Sequence, residues 1–98
     1  MNSARPDDFW DLRLYITGRT PKSMAVLSRL KDTCERHCEG RYRITVIDLV
    51  KQPQRASADQ IVATPTVIRK WPLPARIFIG NLSTDSELLV DVSRCHAG

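Results

Sequence analysis

The stretch DLRLYITGRTPKSMAVLSRLKDTCERHCEGRYRITVIDLV, residues 11–50, decides the fold. Its first seven residues (11–17) alternate, with Leu12, Leu14 and Ile16 on one face, and Gly18 follows: the pattern of a strand. Thr20 then offers a hydroxyl N-cap, and Pro21 takes a first helical position where a missing N–H costs nothing. Met24, Leu27, Leu30, Cys34 and Cys38 recur at spacings of three and four, which predicts one amphipathic helix over 21–38, stopped by Gly40. Residues 42–50 carry Tyr42, Ile44, Val46 and a denser apolar end, the signature of a strand covered on both faces. Strand, helix of about five turns and strand form a right-handed βαβ unit with parallel strands.

Beyond this unit, Pro53 ends the run, and SADQIVA (57–63) reads as a short helix capped by Ser57. TVIRK (66–70) and ARIFI (75–79) are strand-like. The WPLP between them fixes φ twice and removes ladder donors, so a loosely joined hairpin is expected. Thr84 and Glu87 form a capping box ahead of the helical stripe Leu88, Leu89, Val92 and Cys95, yet LLVDV (88–92) also alternates as a strand would. Both readings of that segment stand. The order βαβ, short helix, β, β, helix is α/β and thioredoxin-like, in one domain over 1–98 with a lead of about ten residues.

Thr64-Pro65-Thr66 looks like the turn that holds a cis proline beside the redox cysteines of a thioredoxin-like domain. No CxxC is present, however, and Gly18-Arg19-Thr20-Pro21-Lys22-Ser23 stands where the nucleophilic thiol belongs. A helix N-terminus lowers the pKa of a thiol placed there, and this chain places none. Ser23 has no His or carboxylate beside it in sequence to activate it. Cys34, His37 and Cys38, with Cys95 and His96, have the residue types of a metal site but not a zinc module's spacing, and the two helical cysteines extend the apolar stripe. Core packing is the better account. Asp48 in an apolar run is expected to pair with a neighbouring N–H or an Arg at the strand end.

Net charge is +4 and the isoelectric point is near 9.3. The cations are spread without a run and six percent of residues are aromatic, which disfavours nucleic-acid binding and suits an acidic protein partner. No stretch approaches a membrane span and no basic leader precedes an apolar run, so a cytoplasmic protein with reduced thiols is expected. Phosphate-cradling glycine motifs are missing. No catalytic residue, cofactor site or metal site is assigned, and a binding or regulatory module remains. Arg69, Lys70 and Arg76 flank the prolines, as edge protection or as a docking surface.

Four blocks, LRLYITGRTPKSM (12–24), VIDLVKQPQ (46–54), DQIVATPTVIRK (59–70) and ARIFIGNLS (75–83), in this order resemble the KaiB family, small regulators of bacterial Kai clock systems. The similarity covers about residues 12 to 92. It implies a C-terminal half with two arrangements: a ground state, usually tetrameric, that ends in a strand, and a monomeric thioredoxin-like state. The latter binds the N-terminal ring of the hexameric ATPase KaiC, competes with a histidine kinase's sensor domain and helps sequester KaiA. The resemblance further implies partner contacts at Arg13, Lys51, Arg69 and Arg76, and a fold-switch region marked by Thr64, Pro65, Pro72, Pro74, Gly80 and Asp91. Pro72-Leu73-Pro74 replaces the usual three prolines, Asp91-Val92-Ser93 replaces Gly-Leu-Asp, and Ala25, Thr45 and Gln60 replace basic residues. These departures suit a secondary or non-cyanobacterial Kai system serving a timer or stress response. The alternatives are a divergent oxidoreductase using Cys34 or Cys38 and a stand-alone sensor-type module.

Overall fold

Strand β1 (Trp10–Ile16) is the axis of the molecule, hydrogen-bonded along both edges. A computed structural model describes residues 9–79 of the chain. After β1 come α1 (Pro21–Cys38), β2 (Tyr42–Asp48), α2 (Gln54–Ala58), β3 (Thr66–Trp71) and β4 (Arg76–Ile79). The strands form one sheet in the order β2-β1-β3-β4. β1 and β2 run parallel from Trp10 opposite Tyr42 to Ile16 opposite Asp48, as the βαβ reading requires. β3 runs antiparallel to β1, with Leu14 opposite Val67 and Tyr15 opposite Thr66, and β4 returns antiparallel to β3. This is the thioredoxin-like order through the β3–β4 hairpin. The segment over 84–95, left open between helix and strand, lies outside the described residues.

Alternation along the strands sorts the side chains onto two faces. On the inner face Leu12, Leu14 and Ile16 join Val67 and Phe78 against Val26, Leu30, Cys34 and Cys38 of α1. The thiols of Cys34 and Cys38 are fully buried there, as packing residues. Thr20 caps α1 as expected, its hydroxyl accepting from the Ser23 N–H at 3.1 Å. The helix stops through two left-handed residues, Glu39 at φ 50° and Gly40 at φ 84°, where glycine alone was expected.

The limits of β1, β3 and β4 differ from the sequence reading by one residue, and those of β2 and α2, with one face of β2, differ by more. β2 ends at Asp48 because its carboxylate turns the chain, Oδ1 accepting from Val50 N at 3.0 Å. β2 is also the edge strand, and on its outer face Arg43 and Thr45 are exposed while Ile47 alone is buried, so that face is covered only toward its C-terminal end. Helix α2 spans Gln54–Ala58 rather than 57–63: Pro53, at φ −62°, presets the helical turn four residues before Ser57, and Gln60 at φ 59° ends it. The hairpin across WPLP is made by four paired positions, from Thr66 opposite Ile79 to Arg69 opposite Arg76.

Leu14 and Leu30 are enclosed by both layers. Replacing either by Ala should lower unfolding free energy by about 2–5 kcal/mol, whereas Thr20→Ala, which removes a cap, should cost about 1 kcal/mol. Urea unfolding followed by circular dichroism checks both.

Candidate functional site

Three loops converge at the C-terminal ends of β1 and β2. The Asp48 carboxylate ties the first two, accepting from Gly18 N at 2.9 Å and from Val50 N at 3.0 Å. Those two N–H bonds hold its pKa below the ordinary carboxylate value. Thr17 and Thr64 place their hydroxyl oxygens 2.9 Å apart, bringing the third loop alongside. In that loop the Thr64–Pro65 peptide is cis, and Thr66 Oγ1 donates to Ala63 O at 2.6 Å. The cis-proline loop is therefore tied to Thr17 at the end of β1, ahead of α1, where the chain reads Gly18-Arg19-Thr20-Pro21 and places no Cys. Cys34 and Cys38 lie in the second half of α1, buried in the core. No cluster of three metal-ligating side chains occurs among the described residues. None of their helices is long and apolar enough to cross a membrane.

The four cations singled out from sequence fall in three places. Lys51 is exposed in the turn after β2, at the proline-loop end of the sheet. Arg69 and Arg76 are register partners at the other end of the β3–β4 hairpin, on the inner face. Arg13 sits on the outer face, opposite Ile68 in the ladder. Arg69 is buried, at 7% exposure. Its Nη2 donates to Pro74 O at 2.6 Å and its guanidinium lies 5.2 Å from the centre of the Trp10 ring. It therefore braces the turn that contains the cis bonds Trp71–Pro72 and Leu73–Pro74. Arg76 is exposed, stacked 5.1 Å over Phe78. Gly80 and Asp91 lie outside the described residues.

Sequence reasoning missed the grouping of Arg13 and Tyr15 with Arg55 and Asp59. Buried Tyr15 projects to the outer face and donates from its hydroxyl to Asp59 Oδ2 at 2.6 Å. Arg55 reaches the same oxygen from one turn earlier, with Nη2 at 2.9 Å, and an Arg13 nitrogen stands 4.0 Å away. Burial, then the Asp59 contact, raises the Tyr15 pKa. The Tyr15 hydrogen bond, reinforced by Arg55, lowers that of Asp59. An aromatic in a strand's polar register was the available signal. Its partner, 44 residues away, was not.

Residues 13–92 match the family model described as the KaiB domain. A circadian clock oscillator protein KaiB of Prochlorococcus marinus subsp. pastoris is 46% identical over 79 residues, covering 81% of this chain and 74% of that protein. The chain belongs to the KaiB family. A KaiB of Synechococcus elongatus, also named a circadian clock oscillator protein, is 42% identical over 85 residues, with 87% and 83% covered. Among solved structures, the N-terminal domain of Synechococcus elongatus SasA superposes with a TM-score of 0.71 at 21% identity, covering 95% of this chain and 81% of that one. Chloroplastic thioredoxin z gives 0.70 at 19% identity, covering 93% and 81%. At those identities the structural likeness establishes the thioredoxin-like fold, while the sequence match establishes the family of clock regulators.

Arg69→Ala should lower unfolding free energy by about 1.5–3 kcal/mol, the range for a hydrogen bond to a charged group. Arg76→Ala, at an exposed position, should stay within about 0.5 kcal/mol. Denaturant titration separates the two. Asp48 and Asp59 have folded pKa values below their unfolded ones, so their stabilisation is present above the ordinary carboxylate range and lost as pH falls through the folded values. Stability measured from pH 7 down to 3 should fall less steeply in Asp48→Ala than in the parent chain.

Proposed function

We propose that this chain is a non-catalytic regulator that binds a KaiC-like hexameric ATPase in a Kai-type clock, timer or stress-response system. One observation carries the reading: in a KaiB family chain, β3 and β4 stand antiparallel beside β1. That is the thioredoxin-like arrangement which the family resemblance associates with the ATPase ring. Half-buried Arg13 and exposed Lys51 and Arg76 are its partner contacts. Arg69 acts from inside, by fixing the shape of the Pro72–Pro74 turn next to Arg76.

The same domain, spanning 1–98, has a second arrangement of its C-terminal half. Thr64 and Pro65 at one end of β3 and Pro72 and Pro74 at the other bracket the strand that changes partners, with Gly80 and Asp91 beyond it. Two packings of one chain coexist when they differ by about a few kcal/mol. The free protein is a homotetramer or dimer in the cytoplasm, and a KaiA-like protein or a histidine kinase sensor domain shares or contests the ATPase. Neither nucleic acid nor a membrane enters this scheme. Burial of Cys34 and Cys38 away from the cis-proline loop supports the regulatory reading over an oxidoreductase.

The test is co-elution of the purified protein with the cognate KaiC-like hexamer in ATP and in ADP. A complex in at least one nucleotide state is expected, and none in either would sink the proposal. Arg76→Glu should weaken the complex about fivefold or more, as loss of an interfacial charge contact does. A substitution that favours the thioredoxin-like arrangement should speed complex formation and reduce self-association together, read by stopped-flow and size-exclusion chromatography.

A further inference from the structure

The outer face of the sheet carries an apolar patch that no element among the described residues covers. Across β1, β3 and β4, one ladder row runs Arg13, Ile68, Ile77 and the next runs Tyr15, Thr66, Ile79. Ile77 and Ile79 are 60% and 54% exposed. Helix α2 does not cover them. It contributes no buried side chain, and Asp59 just beyond its end is fastened over β1 by Tyr15. A cleft of about 200 Å³ opens between them, lined by Arg13, Tyr15, Asp59, Gln60, Ile68 and Lys70 among others.

The charges around this patch are one-sided in effect. Asp59 is the single carboxylate lining the cleft among the described residues, and its Oδ2 already receives Tyr15 and Arg55. Arg13 touches it only at 4.0 Å, on the outer limit of an ion pair, and Lys70 is exposed. A carboxylate arriving from outside would meet two cations whose charge Asp59 does not fully offset. A second copy would bring two more cations to the same place, against a net charge of +4 on each chain. Nucleic acid would find branched aliphatic side chains where stacking rings are needed.

We infer that this outer face, with Ile68, Ile77 and Ile79 at its centre and Arg13 and Lys70 at its border, docks an acidic segment with an apolar centre on the ATPase partner. The inference rests on the ATPase-binding reading above and specifies its surface and the chemistry of the other side. Aliphatic side chains of the segment cover the isoleucines, while its carboxylates sit by Arg13 and Lys70. Burial of the apolar centre supplies most of the affinity, and the border charges supply orientation and encounter rate.

Affinity for the KaiC-like hexamer, measured by titration in the nucleotide state that binds best, tests this with Lys70→Glu, Ile77→Glu and, as a charge-matched control on the exposed side of α1, Lys31→Glu. Expected are about tenfold weaker binding for Lys70→Glu, about thirtyfold or more for Ile77→Glu, and less than a twofold change for the control. Circular dichroism and urea midpoints establish folding of each variant, and the exposed Lys70 carries the test alone where Ile77→Glu does not fold. Parent-like binding by both patch variants overturns this surface and leaves the ATPase reading intact. Absence of binding by the parent chain overturns both. Weakening by Ile77→Glu without weakening by Lys70→Glu overturns the acidic assignment. Dissolution of a self-associated form by Ile77→Glu with ATPase binding unchanged means that the patch covers a second copy, which also overturns it.

Discussion

Pairing of β1 on both edges is the constraint on which the molecule depends. Its parallel ladder with β2 can close only through a crossover, which α1 supplies, and its antiparallel ladder with β3 fixes the register of everything after the proline loop. Because alternate residues of β1 face opposite ways, one strand serves two functions. Leu12, Leu14 and Ile16 build the core under α1, while Arg13 and Tyr15 form the polar floor of the outer face. A one-residue slip would exchange these sets and destroy both.

The βαβ half was legible in the sequence because its signals are local. Thr20-Pro21 starts α1 and the three-and-four spacing carries it to Cys38, and those bounds are the observed ones. The limits of β2 and α2 were less legible, since they depend on where one carboxylate turns the chain and on the preset φ of Pro53. Both effects act at single residues, below the resolution of a periodic pattern. The candidate site was legible in residue type but not in placement. Arg69 and Arg76 look alike along the chain, yet ladder register puts one beneath Trp10 and the other in solvent. The junction of Tyr15 with Asp59 joins residues whose proximity follows from the return of α2 over β1, which no local pattern encodes.

The cis-proline loop is joined to the end of β1 by a pair of hydroxyls. The Thr64 hydroxyl oxygen stands 2.9 Å from that of Thr17, and no Cys lies between that strand and the first turn of α1. What remains useful is a constrained surface loop set against a rigid strand end, with Lys51 close by in sequence to the Asp48 anchor. Shape and charge are what such a loop offers, and both are requirements of recognition.

Helix α2 is fastened over the outer face by directional bonds, its foothold being Asp59 on Tyr15, and none of its own side chains is fully buried. What it guards lies beneath: the Tyr15 ring points to that face and is wholly buried. Detaching the helix together with Asp59 would wet an aromatic ring, so the step would carry a positive heat-capacity change and a dependence on urea. It would appear in amide hydrogen exchange as a region that opens ahead of the core. The charges that hold it shut would also make the opening responsive to salt and acidity.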